Sequence, residues 1–388
     1  TLTISYFYYM TTQEKENILT EEISHGKEFS IINLVDCLIE KAHKDRASDI
    51  HIDPNAHDIR VRFRIDGVLQ ETYKLPKQIH GEIISRIKIL SRLRTDEHQA
   101  TQDGRFRYHF SATGEFVDLR VSIVPTYHGE NIVMRLLFDN RENFSLESLG
   151  FCKSDEKKIK DAISKPNGMI LSTGPTGSGK TTTLYTLIKM LNSPEVSIVT
   201  IEDPIEYAVS NVEQIQVNNH KGLTFANGLR SILRQDPNII MVGEIRDKET
   251  ASIAVNTALT GHLLLSTIHT NDSATTLPRL LDMGIEEYLV ASTVSIAIGQ
   301  RLVRKNCEYC KGKKCEKCNH SGYFGRICIN EVLVASSEIR EAILRKASAE
   351  EIKKIAISQG MTTMLEDGLY KVELGLTTKE EVLRVIRE

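Results

Sequence analysis

The chain lacks tryptophan entirely and, with a formal net charge of −3 over 388 residues, it also lacks a basic excess. Proteins that mainly bind nucleic acid usually have such an excess, or aromatic side chains on which bases stack, so the composition argues against that class. No run approaches about eighteen consecutive apolar residues, the length of a membrane-spanning helix. Residues 1–30 lack the basic start and apolar core of a secretory signal, so we expect a cytoplasmic protein.

Hydrophobic residues make up 40% of the chain and charged residues 26%, which is typical of a globular protein with several domains. Residues 1–30 form a polar tail that we leave unassigned. Apolar residues at three- and four-residue spacing predict a helix over 31–42. Strict alternation over 59–65, closed by Asp66-Gly67, predicts a half-buried strand and a hairpin turn. The sequence therefore predicts a small α+β domain over residues 31–150.

After residue 150 the pattern changes to short apolar segments that alternate with predicted helices. Because these segments do not alternate with polar residues, both of their faces should be buried, as in a parallel sheet covered by helices. The segments are 169–173, 197–201, 239–242 and 263–268. We therefore predict an α/β domain over residues 151–388, with ligands bound at the carboxyl ends of its strands.

The sequence 174–181 fits the phosphate-binding pattern G-x-x-x-x-G-K-[ST], and it lies between a predicted strand and a predicted helix. Glycines in such a loop let backbone N–H groups surround a phosphate. Lys180 would reach the β- and γ-phosphates of ATP, and Thr181 would hold Mg²⁺. The predicted nucleotide-binding residues are Gly174, Pro175, Thr176, Gly177, Ser178, Gly179, Lys180, Thr181 and Thr182.

Acidic residues follow two of the predicted strands. Glu244 ends the segment 239–242, where a Walker B acid belongs, and Glu202, Asp203 and Glu206 follow the segment 197–201. One of these carboxylates should act on the attacking water, and another should adjust Mg²⁺ through its hydration shell. For Glu202 a plain surface position is an equally good interpretation.

Two histidines, His262 and His269, flank the segment 263–268. Their separation of seven positions along a strand puts them on opposite faces, so they should not perform the same task. Each is either an ordinary structural residue or a group that senses the γ-phosphate. The sequence leaves both interpretations open.

Arg120 and Arg135 lie in two alternating segments that would form a hairpin around residues 127–128. In that hairpin the two arginines face each other, and like charges in facing positions are destabilising. An anion such as a nucleotide phosphate from a neighbouring subunit would relieve the repulsion. Pairing with a local acid, for example Asp118 or Glu130, would relieve it equally well.

Four of the seven cysteines are concentrated in the segment 307–318. Cys307, Cys310, Cys315 and Cys318 form two Cys-x-x-Cys pairs, which are enough for a closed, structural zinc site. Free thiols or an iron–sulfur cluster are the alternatives, since four thiolates alone do not select the metal.

Taken together, these motifs resemble the ATPases of type II secretion and type IV pilus assembly over residues 31–388. The resemblance is carried, in chain order, by ASDIHI (47–52), QDGR (102–105), VDLRVS (117–122), the P-loop, IEDPIE (201–206), RQDP (234–237), VGEIRD (242–247), TGH (260–262), HTN (269–271) and the tetracysteine segment.

The resemblance implies a RecA-like motor domain preceded by a PAS-like domain, assembled as a cytoplasmic homo-hexamer that uses ATP, Mg²⁺ and Zn²⁺. In this family the residue matching Glu206 is the proposed catalytic base, and Glu244 matches the Walker B glutamate. Arginines matching Arg120 and Arg135 reach the phosphates. The motor would be held at the inner membrane by its partners. There it would act on a platform protein that adds pilin-like subunits to a fibre. The tetracysteine favours the assembly and secretion branch over retraction ATPases.

Three alternatives stay open. The first is a DNA-uptake pseudopilus ATPase, and the second is a RecA-like nucleic-acid motor, although we expect no stable nucleic-acid binding. The third is a structural ring that binds ATP without hydrolysing it. Many members also have a further N-terminal domain that docks on an inner-membrane partner. Since only about thirty residues precede residue 31, we expect either that this docking is absent or that the chain is a fragment or a short form.

Overall fold

The computed structural model describes residues 30–111, 113–137 and 144–387. The predicted N-terminal tail therefore lies outside the described residues, except for Ser30. The described residues form two compact units, 30–137 and 144–387. Gly150, at which the sequence predicts the domain boundary, lies in the second unit.

The first unit is an antiparallel sheet with two helices. It contains, in chain order, α1 (Ile31–Lys44), β1 (Ala47–Pro54), β2 (Asp58–Ile65), β3 (Val68–Pro76), α2 (His80–Leu90), β4 (Gln102–His109), β5 (Phe116–Thr126) and β6 (Gly129–Leu137). The strand order is β3-β2-β1-β6-β5-β4. Apolar residues of both helices pack on the inward side chains of the strands, so the alternate, polar side chains form the other face.

The second unit is an α/β domain, as predicted. Its first half contains α3 (Leu146–Leu149), α4 (Lys153–Ile163), β7 (Gly168–Thr173), α5 (Lys180–Leu191), β8 (Ile198–Glu202), β9 (Glu213–Gln216), α6 (Phe225–Ile232), β10 (Ile239–Val242), α7 (Lys248–Leu259) and β11 (Leu263–Ile268). Strands β7, β8, β10 and β11 confirm the four predicted apolar strands, and every residue in them is buried. Strand β8 is displaced by one residue from the prediction and so includes Glu202.

The second half of this unit adds α8 (Thr276–Asp282), α9 (Glu287–Thr293), β12 (Val294–Asn306), β13 (Tyr323–Val334), α10 (Ser337–Leu344), α11 (Ala349–Ser358), α12 (Met364–Glu373) and α13 (Lys379–Arg387). The strand order of the sheet is β13-β12-β7-β11-β10-β8-β9. All pairings are parallel except that between β12 and β13, which form a long antiparallel hairpin. None of the helices among the described residues combines the length and apolar character needed to cross a membrane.

The parallel order has one consequence for function. Strands β7, β11, β10 and β8 are neighbours and point the same way, so the segments that follow them meet at one edge of the sheet. The P-loop follows β7, and the segment that begins at His269 follows β11. The residues around Glu244 follow β10, and the acidic segment 202–206 lies at the end of β8.

Candidate functional site

The predicted P-loop connects the buried strand β7 to helix α5, which begins at Lys180. Two of its glycines are required by the backbone. Gly179 has φ of +90°, and a Cβ at Gly174 would lie 2.4 Å from the carbonyl oxygen of Gln300. Only glycine avoids both the strain and the collision, so the loop can hold its backbone close to a bound group.

Lys180 lies at the first turn of α5 with its ammonium folded over the loop. Its Nζ donates to the carbonyl oxygens of Gly174, at 2.8 Å, and Pro175, at 2.9 Å. Burial lowers the pKa of Lys180 to about 8; the charge of Glu244 opposes this shift and that of Arg301 adds to it. A phosphate beside the ammonium would favour its charged form.

Two further features suit a phosphate ligand. The buried hydroxyl of Ser178 has no hydrogen-bond partner among the described residues. Thr181 and Thr182 are half-buried in the first turn of α5, at the positive end of the helix dipole. The residues present therefore fit the triphosphate of a nucleotide and its magnesium ion.

Glu244 follows strand β10 and makes two contacts with potentially positive groups. Its Oε1 lies 2.7 Å from a guanidinium nitrogen of Arg246, and its Oε2 lies 3.2 Å from Nε2 of His269. The residue is 9% exposed, so most of its side chain is shielded from solvent. The structure thus brings together Glu244 and His269, two of the residues that the sequence predicts for the site.

The loop after β11 is also tied to the P-loop strand. The hydroxyl of Thr173, the last residue of β7, lies 2.6 Å from the hydroxyl of Thr270 and donates to the carbonyl oxygen of Ile268 at 2.9 Å. The backbone N–H of Thr270 donates back to Thr173 Oγ1 at 3.0 Å. Both chain neighbours of His269, Ile268 and Thr270, are therefore bonded to Thr173, the residue that immediately precedes the P-loop.

The acidic segment separates into a buried and an exposed part. Glu202, the last residue of β8, is 2% exposed, so the interpretation of this residue as a surface acid is wrong. Asp203 and Glu206 are exposed beyond the strand end. Of these three carboxylates, those of Asp203 and Glu206 can contact water freely, whereas that of Glu202 cannot.

His262 lies apart from this group. It precedes β11, and its carbonyl oxygen accepts from Gly168, the first residue of β7, whereas the P-loop follows the last residue of β7. The six residues of β11 separate the two histidines by about 20 Å at the rise of a strand. Nδ1 of His262 lies 3.2 Å from the carbonyl oxygen of Thr257, an ordinary structural contact.

In the first unit, Arg120 and Arg135 face each other across β5 and β6, which confirms the predicted register. The two acids considered as partners are engaged elsewhere, Asp118 with an arginine of β4 and Glu130 with a lysine of α2. Nε of Arg135 instead donates to the buried Asp49 of β1 at 3.0 Å. Arg135 therefore has a local acid, but one that the sequence did not indicate.

The four clustered cysteines lie in the connection between β12 and β13, with all four sulfurs within 4.8 Å of one another. The Sγ–Sγ distances are 3.9 Å for Cys307–Cys315 and for Cys310–Cys318, and 3.7 Å for Cys315–Cys318. Four sulfurs bound tetrahedrally at about 2.3 Å from one zinc ion lie about 3.8 Å apart. The cluster therefore has the geometry of a closed zinc site.

The sulfur of Cys318 accepts hydrogen bonds from the backbone. Burial disfavours its thiolate, but N–H groups of Cys315 and Gly322 donate to the sulfur and lower its pKa, whereas burial raises the pKa of Cys310. Since metals bind the thiolate, this local hydrogen bonding supports a ligand role for the cluster.

Other residues that shape the site were not apparent from the sequence. Gln300 of β12 accepts from the hydroxyl of Ser172 at 3.1 Å and donates to the carbonyl oxygen of Ser178 at 2.9 Å. It therefore connects both strand β7 and the P-loop to β12. The buried Glu331 of β13 accepts from the backbone and the hydroxyl of Ser273, in the loop after β11. Both contacts join residues far apart in the chain, and no local pattern indicates them.

Comparisons with known proteins agree with this geometry. The type II secretion system protein E of Xanthomonas campestris pv. campestris is 46% identical over 390 residues, covering 94% of this chain and 68% of that relative. The type IV pilus assembly ATPase PilB of Thermus thermophilus is 46% identical over 373 residues, covering 89% of this chain and 42% of that relative.

A solved structure of the pilus retraction motor PilT with bound ADP shares the fold, with a TM-score of 0.64 and 27% identity over 90% of this chain and 96% of that one. The sequence profile described as "Type II/IV secretion system protein" matches residues 25–384. The chain therefore belongs to the family of type II/IV secretion system proteins.

Proposed function

We propose that this chain hydrolyses ATP and that the reaction drives assembly of pilin-like fibres in a type II secretion or type IV pilus machine. The observation that carries the proposal is the convergence of Lys180, the Glu244–His269 pair and the segment of Glu206 at one edge of a parallel sheet. Family membership adds to it, because the relatives named above are components of secretion systems and a pilus assembly ATPase.

In this proposal the residues of the P-loop bind the phosphates of ATP. Backbone N–H groups of residues 174–179 would surround the β-phosphate, and Lys180 would turn from the loop carbonyls to the β- and γ-phosphates. Thr181 would hold Mg²⁺, with Thr182 beside it. The magnesium ion would neutralise charge between the β- and γ-phosphates as the bond to the γ-phosphate breaks.

The side chains around the γ-phosphate would divide the remaining tasks. Glu206 is exposed and follows the strand beside that of Glu244, so it is the residue we assign to accept a proton from the attacking water. Glu244 would orient a water of the Mg²⁺ shell, and His269, fixed by Glu244, would contact the γ-phosphate. His262 has no supporting geometry within one chain, because it lies at the opposite end of β11.

We further propose that the chain acts as a homo-hexamer whose PAS-like first unit supplies Arg120 and Arg135 to a nucleotide bound by a neighbouring copy. The two arginines face each other on the polar face of the sheet. An anion beside them would further relieve the repulsion between the two arginines, in addition to the carboxylate of Asp49 that accepts from Arg135. Arginines that stabilise the transition state of phosphoryl transfer contribute a factor of about 10³–10⁵ in rate.

A mixing experiment tests this arrangement. Arg135→Ala and Lys180→Ala chains, each inactive alone, should recover part of the turnover when mixed, because some interfaces then combine one intact lysine with one intact arginine. Arg107→Ala is the matched control, since it removes an arginine from a neighbouring strand that pairs with Asp118. Full activity of Arg135→Ala alone, or no recovery on mixing, would contradict a site shared between copies.

The four cysteines would hold a structural zinc ion. We expect about one zinc ion per purified chain, lost in Cys315→Ser together with a lowered melting temperature, because the metal's binding energy contributes to folding. Cys152→Ser, which changes a cysteine outside the cluster, should retain the metal. Elemental analysis checks both variants. A metal-free wild-type chain that melts at the same temperature as one supplied with zinc would rule out the assignment.

The proposed place of action is the cytoplasmic side of the inner membrane, reached through partners and above all through a platform protein. Crosslinking and purification from the protein's own cells tests this: a polytopic membrane protein of a secretion or pilus machine should be recovered with the wild-type chain. Recovery with a DNA-uptake apparatus would instead favour the pseudopilus alternative. ATP turnover that depends on added DNA would favour the nucleic-acid motor.

A further inference from the structure

We propose that Tyr185 and Glu202 are positioning residues that fix the segment of Glu206 relative to the P-loop helix. The proposal rests on the function proposed above, since it concerns the group that we assign to the attacking water. It assigns a role to two residues whose side chains hydrogen-bond to each other and to Thr200 and Gln214.

Glu202 is occupied on both carboxylate oxygens. Its Oε2 accepts from the phenol of Tyr185 at 2.5 Å, and its Oε1 accepts from the hydroxyl of Thr200 at 2.6 Å and from Nε2 of Gln214 at 3.2 Å. A buried carboxylate that accepts from three donors is fixed in one orientation. Glu202 is therefore suited to hold its neighbours in place, and its burial keeps it away from an attacking water molecule.

Tyr185 is 1% exposed and lies on α5, five positions after Lys180. Burial, together with the negative charge of Glu202, raises the pKa of the phenol, whereas the backbone of Glu206 lies close enough to oppose the shift. The phenol therefore keeps its proton and donates a hydrogen bond to Glu202. The hydroxyl of Tyr185 thus lies close to the carboxylate of Glu202, at the buried end of the acidic segment, and to the backbone of Glu206, at its other end.

The far end of the segment is fixed by the same group of side chains. Gln214 donates from Nε2 to the carbonyl oxygen of Tyr207 at 3.1 Å, and its Oε1 accepts from the backbone N–H of Val209 at 2.7 Å. The ring of Tyr207 packs edge-on against the ring of Tyr185, with centroids 4.6 Å apart. Both ends of the stretch 203–206 are therefore connected to one tyrosine of α5.

Helix α5 thereby connects two parts of the reaction. Lys180 begins the helix, and Tyr185 lies further along it by about 7.5 Å, at 1.5 Å per residue. Because a helix turn is rigid, the distance between the phosphate-binding lysine and the carboxylate of Glu206 depends on the Tyr185–Glu202 contact. A displacement of about 1 Å in a reacting group can cost about 10²-fold in rate.

Tyr185→Phe tests the proposal, since it removes the phenol oxygen and keeps the ring that packs on Tyr207. We expect kcat to fall about ten- to a hundredfold, while KM and the affinity for a fluorescent ATP analogue stay within about twofold of wild type, because no group that binds nucleotide changes. Tyr108→Phe is the matched control. It removes a phenol that donates to Glu40 in the first unit, and it should leave kcat unchanged.

Single-turnover cleavage separates positioning from general destabilisation. Four full-length chains are compared at saturating ATP: wild type, Tyr185→Phe, Glu206→Gln and the double variant. If Tyr185 acts through Glu206, Tyr185→Phe should slow cleavage by less than about twofold in a chain that already carries Glu206→Gln. A double variant slower by the product of the two single effects would overturn positioning through Glu206, and so would wild-type kcat in Tyr185→Phe. Wild-type cleavage by Glu206→Gln would instead remove the proposed base itself, so the two failures are distinguishable.

Discussion

Lys180→Ala is expected to abolish ATP turnover and to remove most nucleotide binding. The ammonium is buried against the P-loop carbonyls, and nothing else in the loop supplies a full positive charge to the β- and γ-phosphates. Its loss leaves the negative charge of those phosphates opposed only by backbone dipoles and Mg²⁺. Titration with a fluorescent ATP analogue and measurement of phosphate release check the two effects separately.

The matched control for this prediction is Lys160→Ala. Lys160 lies on the surface of α4 and pairs with Glu156 one helical turn away, so its removal should change neither binding nor turnover. Wild-type affinity for ATP in Lys180→Ala, measured beside this control, would mean that the loop at residues 174–181 does not bind the triphosphate.

Glu206→Gln and Glu244→Gln should show the opposite behaviour and retain ATP while hydrolysis stalls. Glutamine keeps the size of the side chain and removes the charge, so the nucleotide site stays intact. Loss of a general base costs about 10²–10⁴-fold in rate, which is the decrease we expect for Glu206. Glu244→Gln should also loosen His269, because the contact at 3.2 Å loses its charged partner.

Quench-flow analysis of bound nucleotide checks this pair of variants: both should accumulate ATP where the wild type accumulates ADP. Glu213→Gln serves as control, since Glu213 is exposed on the edge strand β9 and lies in the same part of the chain. Wild-type cleavage in either variant would remove that glutamate from its assigned task and leave the other assignment standing.

Much of this site was predictable because its signals are local. The P-loop is a contiguous pattern, and the strands on which it depends are apolar runs that can be seen without any partner, so β7, β10 and β11 were placed within a residue. The facing positions of Arg120 and Arg135 followed from one short hairpin, in which the turn fixes the register.

The contacts that the sequence did not reveal all join distant segments. Asp49 contacts Arg135 although the two are 86 positions apart, because β1 pairs with β6 in the sheet. Gln300 supports the P-loop from 122 positions away. The burial of Glu202 depended on where β8 ends, because β8 is buried on both faces and extends one residue further than predicted, so that it includes Glu202. Such contacts are set by tertiary packing, for which no local pattern exists.

The most direct test of the account is phosphate release from Mg²⁺-ATP by the purified full chain, with no nucleic acid present and with bound nucleotide analysed in the same samples. The account predicts continuous release by the wild-type chain and the presence of bound ADP, with Lys180→Ala inactive and Glu206→Gln holding intact ATP. A wild-type chain that binds ATP and keeps it uncleaved, indistinguishable from Glu206→Gln, would contradict the account and identify the protein as a structural ring that ATP merely gates.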